Sequence, residues 1–354
     1  MLGKIKHVLK WKRRRRKAAL GAAARKLLNG ERLVAVDVGA AHGLMRHWAT
    51  IDQVAHFYLV EPNPETSADL RRMYPGSNLK VLPVALSGRG GKRTLNVTNV
   101  STGSSLLPID EAFVKQYCSR DYFFPVRQVE LDTRSLQQAM DAENEPRVDL
   151  IKLDTQGTEL EIFEGLGAAR LDQVLAVELE VGMPGAYVGQ AQLPDVQRFM
   201  EGRGLVLFDL RCNRTHRPKG SRFDFYQKEV FGVYANAPTI SAQLFEVDAV
   251  YFRNPLPLIA RKDAGAIRRL LAAYCMYNFF SEAHHVAEQT RLAGVFSPAE
   301  FDEAARAIVS WHNDYHRRFY HSPAFDGLRR VLYHFAHATA PRWAQYLYHE
   351  YPSG

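Results

Sequence analysis

Cysteine is scarce in this chain. Of 354 residues only Cys118, Cys212 and Cys275 carry a thiol, and they stand far apart with no C-x-x-C pair. An odd number at such spacing excludes a disulfide framework and a zinc ribbon, and suits a reducing, cytoplasmic compartment. No apolar run approaches the ~18 residues that a membrane-crossing helix needs. A G-x-x-x-x-G-K-[ST] phosphate loop is missing throughout, which excludes a P-loop nucleotide enzyme. Acidic side chains are missing from residues 1–30, where eleven Lys or Arg stand. The net charge of +8 is therefore the property of an arm. The remaining 324 residues carry 35 basic and 38 acidic side chains. A body so nearly neutral argues against a nucleic-acid groove across it, so no specific nucleic-acid partner is expected.

The arm, residues 1–30, places Leu2, Ile5, Val8, Leu9 and Trp11 at roughly helical spacing beside Lys4, Lys6, Lys10 and Lys12, and a basic run, Lys12 to Lys17, follows. Such a helix can lie on an anionic surface, here the inner face of the membrane; a plain basic tail is the competing reading. Ala18 to Leu28 is broken by Arg25 and Lys26 and makes a poor secretory signal. Residues 31–257 then read as an α/β domain. Residues 258–354 read as an α-helical appendage that holds eight of the thirteen histidines and offers helices for oligomer or partner contacts.

The most informative stretch is LVAVDVGAAHG, Leu33 to Gly43, taken with LVEPNP at Leu59 to Pro64. Leu33, Val34, Val36 and Val38 read as a buried strand. Asp37 lies near its end, and Gly39, Ala40, Ala41 and Gly43 make a tight turn into a helix-like segment, Leu44 to Thr50. Glycine there lets the backbone bend and come close to a ligand. A second strand, Phe57 to Val60, ends on Glu61, where an acid can hydrogen-bond both hydroxyls of a nucleoside ribose. The turn is D-x-G-x-x-x-G, not the G-x-G-x-x-G of dinucleotide enzymes. Asp37 would repel a phosphate but suits a cationic sulfonium, so S-adenosylmethionine (SAM) fits better than NAD.

Further along, Pro64 to Tyr74 is a predicted helix, Leu79 to Leu86 a third strand, and Arg93 to Val97 a hairpin strand beside the main sheet. Val126 to Leu131 is predicted as a strand and Leu136 to Ala142 as a helix. Val148 to Leu153 is a buried strand, and Glu159 to Leu166 has helical spacing. Val174 to Val181 is a strand whose alternation puts Glu178 and Glu180 on one side. A helix over Asp195 to Gly204 and strands at Leu205 to Leu210, Phe231 to Tyr234 and Ala249 to Phe252 close the domain. One long helix is expected over residues 261–290, and Pro298 starts another.

In this order DVGAAHG, EPNP, VALSG, GSSLL, VELD, DLIKLDTQGTELEIFEGL, VELEV and the run at Tyr187 resemble the FkbM-type methyltransferases, over about residues 31–255. The resemblance implies a doubly wound class I (Rossmann-like) methyltransferase sheet, SAM as cofactor, and methylation of a hydroxyl on a sugar, glycan or polyketide-like small molecule. One departure stands out: family members commonly have Asn where this chain has Ala41, with His42 following.

On that reading Asp37 and Gly39 border the methionine half of SAM, Ala40, His42 and Gly43 form the cofactor turn, Glu61 meets the ribose, Ala85 the adenine, and Gln156 also lies at the cofactor. His42 either orients the acceptor or is a plain loop residue. Asp154, at the end of its strand with Gln156 and Gly157 behind it, would meet the methyl group and position or deprotonate the acceptor. Its alternative role is to cap the helix that follows. Glu178 and Glu180 are further catalytic candidates. Buried together, they must share a proton, meet an arginine, or join Asp154 around a divalent cation, a reading not favoured. Tyr187 belongs to a lid or to a plain surface loop. His312 and His316 have metal-capable spacing but no third ligand, and no metal residue is assigned. Methylation of nucleic acid or protein is the alternative, but neither a Pro-Cys nor a [DNS]-P-P-[YFW] motif occurs. A non-catalytic scaffold is the third reading.

Overall fold

The structure, a computed structural model, describes residues 20–45, 47–76, 78–117, 123–183, 185–215 and 243–316. The strands in chain order are β1 (Leu33–Val38), β2 (Ala55–Val60), β3 (Leu79–Leu82), β4 (Ala85–Leu86), β5 (Gly91–Thr98), β6 (Pro125–Arg134), β7 (Leu150–Leu153), β8 (Ala176–Gly182), β9 (Leu205–Thr215) and β10 (Gln243–Arg253). Seven of them form one sheet in the order β3-β2-β1-β7-β8-β10-β9. β3, β2, β1, β7 and β8 run parallel, and β10 lies antiparallel between β8 and β9. The order reverses between β1 and β7, which opens a crevice beyond their carboxyl ends. β4, β6 and β5 make a small separate sheet, in which β5, expected as a hairpin strand beside the main sheet, pairs antiparallel with β6.

Alternation along the strands builds two apolar faces. Val34, Val36, Val38, Ile151, Leu153, Val177 and Leu179 pack against the helices Leu136–Ala142, Glu159–Glu164 and Leu193–Gly202. Leu33, Ala35, Ala55, Phe57, Leu150, Ala176, Val250 and Phe252 fill the opposite face. That second face is covered by a helix over residues 20–28 and by the helices Ala264–Met276, Phe280–Leu292 and Pro298–His316. Two expectations change here. Residues 20–28 are not part of a basic arm: Leu20, Ala23, Ala24, Leu27 and Leu28 are buried in the core. Residues 264–311 are not an appendage, because Ile267, Leu270, Leu271, Tyr274 and Trp311 share one buried cluster with the sheet.

A buried ion network joins this layer to the base of the sheet. Asp149 accepts hydrogen bonds from the Val34 N–H (2.8 Å), Arg269 Nε (3.0 Å) and Arg147 Nε (3.2 Å), and Arg269 also pairs with Glu31. Burial still pushes the Asp149 carboxyl above its usual range, against the pull of both arginines. Removing one partner of such a buried pair costs about 3–5 kcal/mol.

Three local expectations are also corrected. Residues 44–50 form no α-helix; the described part holds only a 3-10 turn, Trp48–Thr50, whose Trp48 is fully buried. The predicted Leu79 to Leu86 strand is two strands in two sheets, parted at Pro83, which has no N–H to give to a ladder. The long helix over 261–290 is broken after Met276, where Asn278 takes a left-handed φ of 71°. The predicted strand at Phe231 to Tyr234 and the basic run of residues 1–19 lie outside the described residues. No described helix is long and apolar enough to cross a membrane.

Candidate active site

Toward the crevice the second face of the sheet changes from apolar to charged. On β1 the series Leu33, Ala35 ends in Asp37; on β7 Leu150 is followed by Lys152; on β8 Ala176 is followed by Glu178 and Glu180. Strand register sets Asp37, Lys152 and Glu178 side by side, and Glu180, Asp248 and Arg211 in a second row. Beyond the paired Val60, Val38 and Leu153, the next residues are Glu61, Gly39 and Asp154. Three candidates read from separate motifs thus leave the same edge, on adjacent strands about 4.8 Å apart.

The three chain ends are stitched together by backbone. Gly39 N–H and Ala40 N–H both donate to the Val60 carbonyl (3.0 and 3.2 Å), and Asp154 N–H donates to the Val38 carbonyl (3.0 Å). Gly39 has φ +83°, and a Cβ there would stand 2.0 Å from the Asp154 carbonyl oxygen. Glycine is thus required at this crossing, for its conformation and for lack of space. Gly43 also has a positive φ, and the Tyr74 hydroxyl accepts from the neighbouring Leu44 N–H at 3.0 Å.

Asp37 is 1% exposed, and its Oδ1 makes no hydrogen bond. Lys152 Nζ lies 3.6 Å from that oxygen and donates to Asp154 Oδ2 at 3.2 Å. Burial pushes the Asp37 carboxyl up to about 6, with Lys152 opposing and Asp154 and Glu178 adding to the rise. Burial alone would lower the Lys152 ammonium, but Asp37 and Asp154 outweigh it and hold it above its usual range. Glu61 is buried, which raises its carboxyl; its Oε1 accepts from the Asn63 N–H at 2.8 Å, and exposed His42 faces it.

Asp154 does not cap the following helix, whose N-cap Thr158 makes no side-chain cap hydrogen bond. Glu159 ties the turn before it, accepting from the N–H groups of Thr155 (2.7 Å) and Gly157 (3.0 Å). The Asp154 side chain is instead 35% exposed and is held by Lys152 on one oxygen and by Gln156 Nε2 (3.2 Å) on the other. Gln156, expected at the cofactor, is occupied elsewhere. Its amide also donates to Glu180 Oε2 (2.8 Å), and the Tyr187 hydroxyl donates to its Oε1 (2.7 Å). Its backbone has φ 60°, uncommon for a side-chain-bearing residue, and its carbonyl accepts from Ser105 Oγ at 2.5 Å. Tyr187 is neither lid nor surface loop: it is 7% exposed and packs with Phe123, Phe245 and Leu107.

Glu178 and Glu180 share a strand face but not their partners. Glu178 accepts from Arg211 Nη1 (3.1 Å) and from the Tyr277 hydroxyl (2.8 Å), and His47 Nε2 lies 3.3 Å away. These contacts outweigh burial and keep the carboxyl below its usual range. Glu180 is pushed well up, by burial first and then by Asp154 and Glu246. Asp248, opposite Glu180, rises to about 6 for the same reason, with Glu178 and Asp154 adding to it. Ala85 stands beyond the end of β3, past Leu82 and Pro83. Among the described residues no group of three His, Cys, Asp or Glu side chains could hold a metal ion.

Sequence reasoning missed Lys152, Asp248, Tyr277 and His47. A signal existed for Lys152: in VDLIKLD it is two residues from Asp154, hence on the same strand face, amid an apolar run. Tyr277 and His47 reach the site only through tertiary packing.

The donor set fits SAM. At Asp37 a buried carboxylate oxygen has no hydrogen bond and only the Lys152 ammonium at 3.6 Å, a glycine turn gives the backbone close approach, and Glu61 stands one strand away, where a diol would fit. Similar solved structures include a precorrin-6y C5,15-methyltransferase from Geobacter metallireducens (11% identity, 66% of this chain, 87% of that one, TM-score 0.32). A second is a 1,6-didemethyltoxoflavin-N1-methyltransferase from Burkholderia thailandensis with bound S-adenosylhomocysteine (13%, 67% and 80%, TM-score 0.29). A third is a SAM-dependent methyltransferase from Aquifex aeolicus (10%, 65% and 89%, TM-score 0.27). No curated protein matches the chain. Residues 37–207 match the methyltransferase FkbM domain, and they lie on a sheet of class I, Rossmann-like order.

Proposed function

We propose that the protein transfers the methyl group of SAM to a hydroxyl of a sugar, glycan or polyketide-like small molecule, with Asp154 as the acceptor-facing base. The observation that carries this reading is the placement of Asp154: partly exposed, level with Gly39 and Glu61, and oriented on both oxygens. Bound over Gly39, SAM supplies an electrophilic methyl carbon. An alcohol then has to be aligned with that carbon and relieved of its proton as the new C–O bond forms and the C–S bond breaks. Asp154 takes that proton; Lys152 and Gln156 hold its carboxylate still. Glu180 and Asp248, in the adjoining row, accept hydrogen bonds from further hydroxyls, which suits a polyhydroxylated acceptor better than an apolar one.

The test is incubation with labelled SAM and pools of saccharides and polyketide-like alcohols. Label is expected in a hydroxyl-bearing pool. Asp154→Asn is expected to lower transfer at least about a hundredfold while SAM affinity, read by calorimetry, stays within a few-fold. Transfer unchanged in that variant would remove Asp154 from the chemistry. Label appearing only in nucleic acid or protein would redirect the acceptor class.

A further inference from the structure

Lys152 links the two acids to which this reading gives separate tasks. It sits on β7 in register with Asp37 of β1 and Glu178 of β8, and it is 9% exposed. Its ammonium is 3.2 Å from Asp154 Oδ2 but 3.6 Å from Asp37 Oδ1, so the hydrogen bond goes to Asp154 and Asp37 receives only attraction. Three further groups face this pair. Glu178 is paired with Arg211 on its other side, where His47 Nε2 also lies 3.3 Å away. Asp248 stands on β10, and Glu180 is tied to Asp154 through Gln156. No second cation touches Asp37 among the described residues.

We propose that Lys152 is a positioning residue that couples cofactor binding to the acceptor-facing carboxylate. A cation docked against Asp37 releases Lys152 from that acid and commits its ammonium to Asp154. The inference rests on the SAM assignment and says how the two halves of that site communicate. With the cofactor absent, Lys152 is divided between two carboxylates and Asp154 is held less firmly. With a cationic cofactor in place, Asp37 has its own counter-charge, and mutual repulsion drives Lys152 toward Asp154. The acceptor acid is then fixed when there is a methyl group to transfer. Like charges a few ångströms apart in a buried site interact strongly enough to produce such a shift.

The experiment needs no acceptor. SAM binding is measured by calorimetry between pH 5 and 7.5, in buffers of different ionisation heat, for the wild type, Lys152→Met, Lys152→Arg, Asp154→Asn and the Lys152→Met/Asp154→Asn double variant. Binding a cation at Asp37 requires that carboxyl ionised, so the wild type should release protons on binding near pH 6. Lys152→Met removes the one attraction that lowers Asp37. The window of proton release should move to higher pH, and affinity at pH 6 should fall about fivefold for a rise of one unit. At pH 7.5 the deficit should close, since the competing ammonium has gone; Lys152→Arg should restore the wild-type profile.

Asp154→Asn frees Lys152 to sit on Asp37 and compete with the cofactor. It should therefore weaken SAM binding, by no more than a few-fold, when made alone but not in the Lys152→Met background. Loss of folding in Lys152→Met would show as a lower melting temperature at every pH, whereas coupling predicts a moved pH window and non-additive affinities. If the wild type binds SAM and the two substitutions add, with the proton-release window unmoved, Lys152 is not the coupler. If the wild type binds no SAM at any pH, the cofactor assignment itself falls.

Discussion

Asp37 illustrates, at the scale of one residue, how a candidate site carboxylate is held at a cost to the fold. It is nearly fully buried, one oxygen makes no hydrogen bond, and its carboxyl is pushed up to about 6, against about 4 in an unfolded chain. As pH rises from about 4 to 6 the unfolded chain loses this proton while the folded chain keeps it. Stability therefore falls across that window, and the full penalty is present above it. Asp37→Asn removes the penalty, so the cofactor-free variant should be more stable than wild type at pH 7 by about 1–3 kcal/mol and equal to it near pH 4. The same variant should lose most SAM affinity. Urea denaturation at both pH values checks the first half and calorimetry the second. Equal stability at pH 7 would mean that Asp37 is already satisfied without a ligand.

Tyr277 belongs to the scale of elements, because it joins four of them. It follows the Ala264–Met276 helix, donates to Glu178 on β8, and accepts from Trp48 Nε1 (3.2 Å) in the β1–β2 connection, while Arg211 of β9 shares Glu178. Tyr277→Phe keeps the ring tilted against His47 but leaves a buried indole N–H and a carboxylate oxygen each short of a partner. The expected loss is about 1–3 kcal/mol by thermal or urea unfolding, with SAM affinity reduced only modestly. A neutral result would mean that water replaces the hydroxyl.

The elements themselves were legible where local pattern and tertiary role agree. Leu33–Val38, Ala55–Val60 and Pro64–Met73 follow directly from alternation, β-branching and the Asn63 cap. Of the site, Asp37, Gly39, Glu61 and Asp154 were readable because strand ends and glycine turns announce themselves. Leu44 to Thr50 looked helical because its apolar spacing serves a different need, burial of Trp48 beneath the helical layer. His47 and Tyr277 are 230 residues apart and meet only after folding, and nothing local marks either of them.

For the whole molecule the decisive question is whether the matched domain stands alone. The domain match ends at residue 207, and a reading by resemblance ends near 255. The apolar face formed by Leu33, Ala35, Phe57, Leu150, Val250 and Phe252 is covered by residues 20–28 and 264–311, which make no part of that match. A chain ending at Asn254 would open to water the part of that face under the 264–311 helices and would strip Asp149 of Arg269 and Glu178 of Tyr277. At roughly 25 cal/mol per Å² of apolar surface, a sheet face of this extent outweighs the ~5–15 kcal/mol by which domains are stable. The truncated chain should therefore be insoluble or should bind a hydrophobic dye and melt without cooperativity. The full chain should unfold in one transition that SAM shifts upward as a unit, even when followed by probes placed in the 264–311 helices. A soluble, cooperatively melting product ending at Asn254 that still binds SAM would show that the helical layer is a separable partner. The ion network at Asp149 would then be an interface and not part of the core.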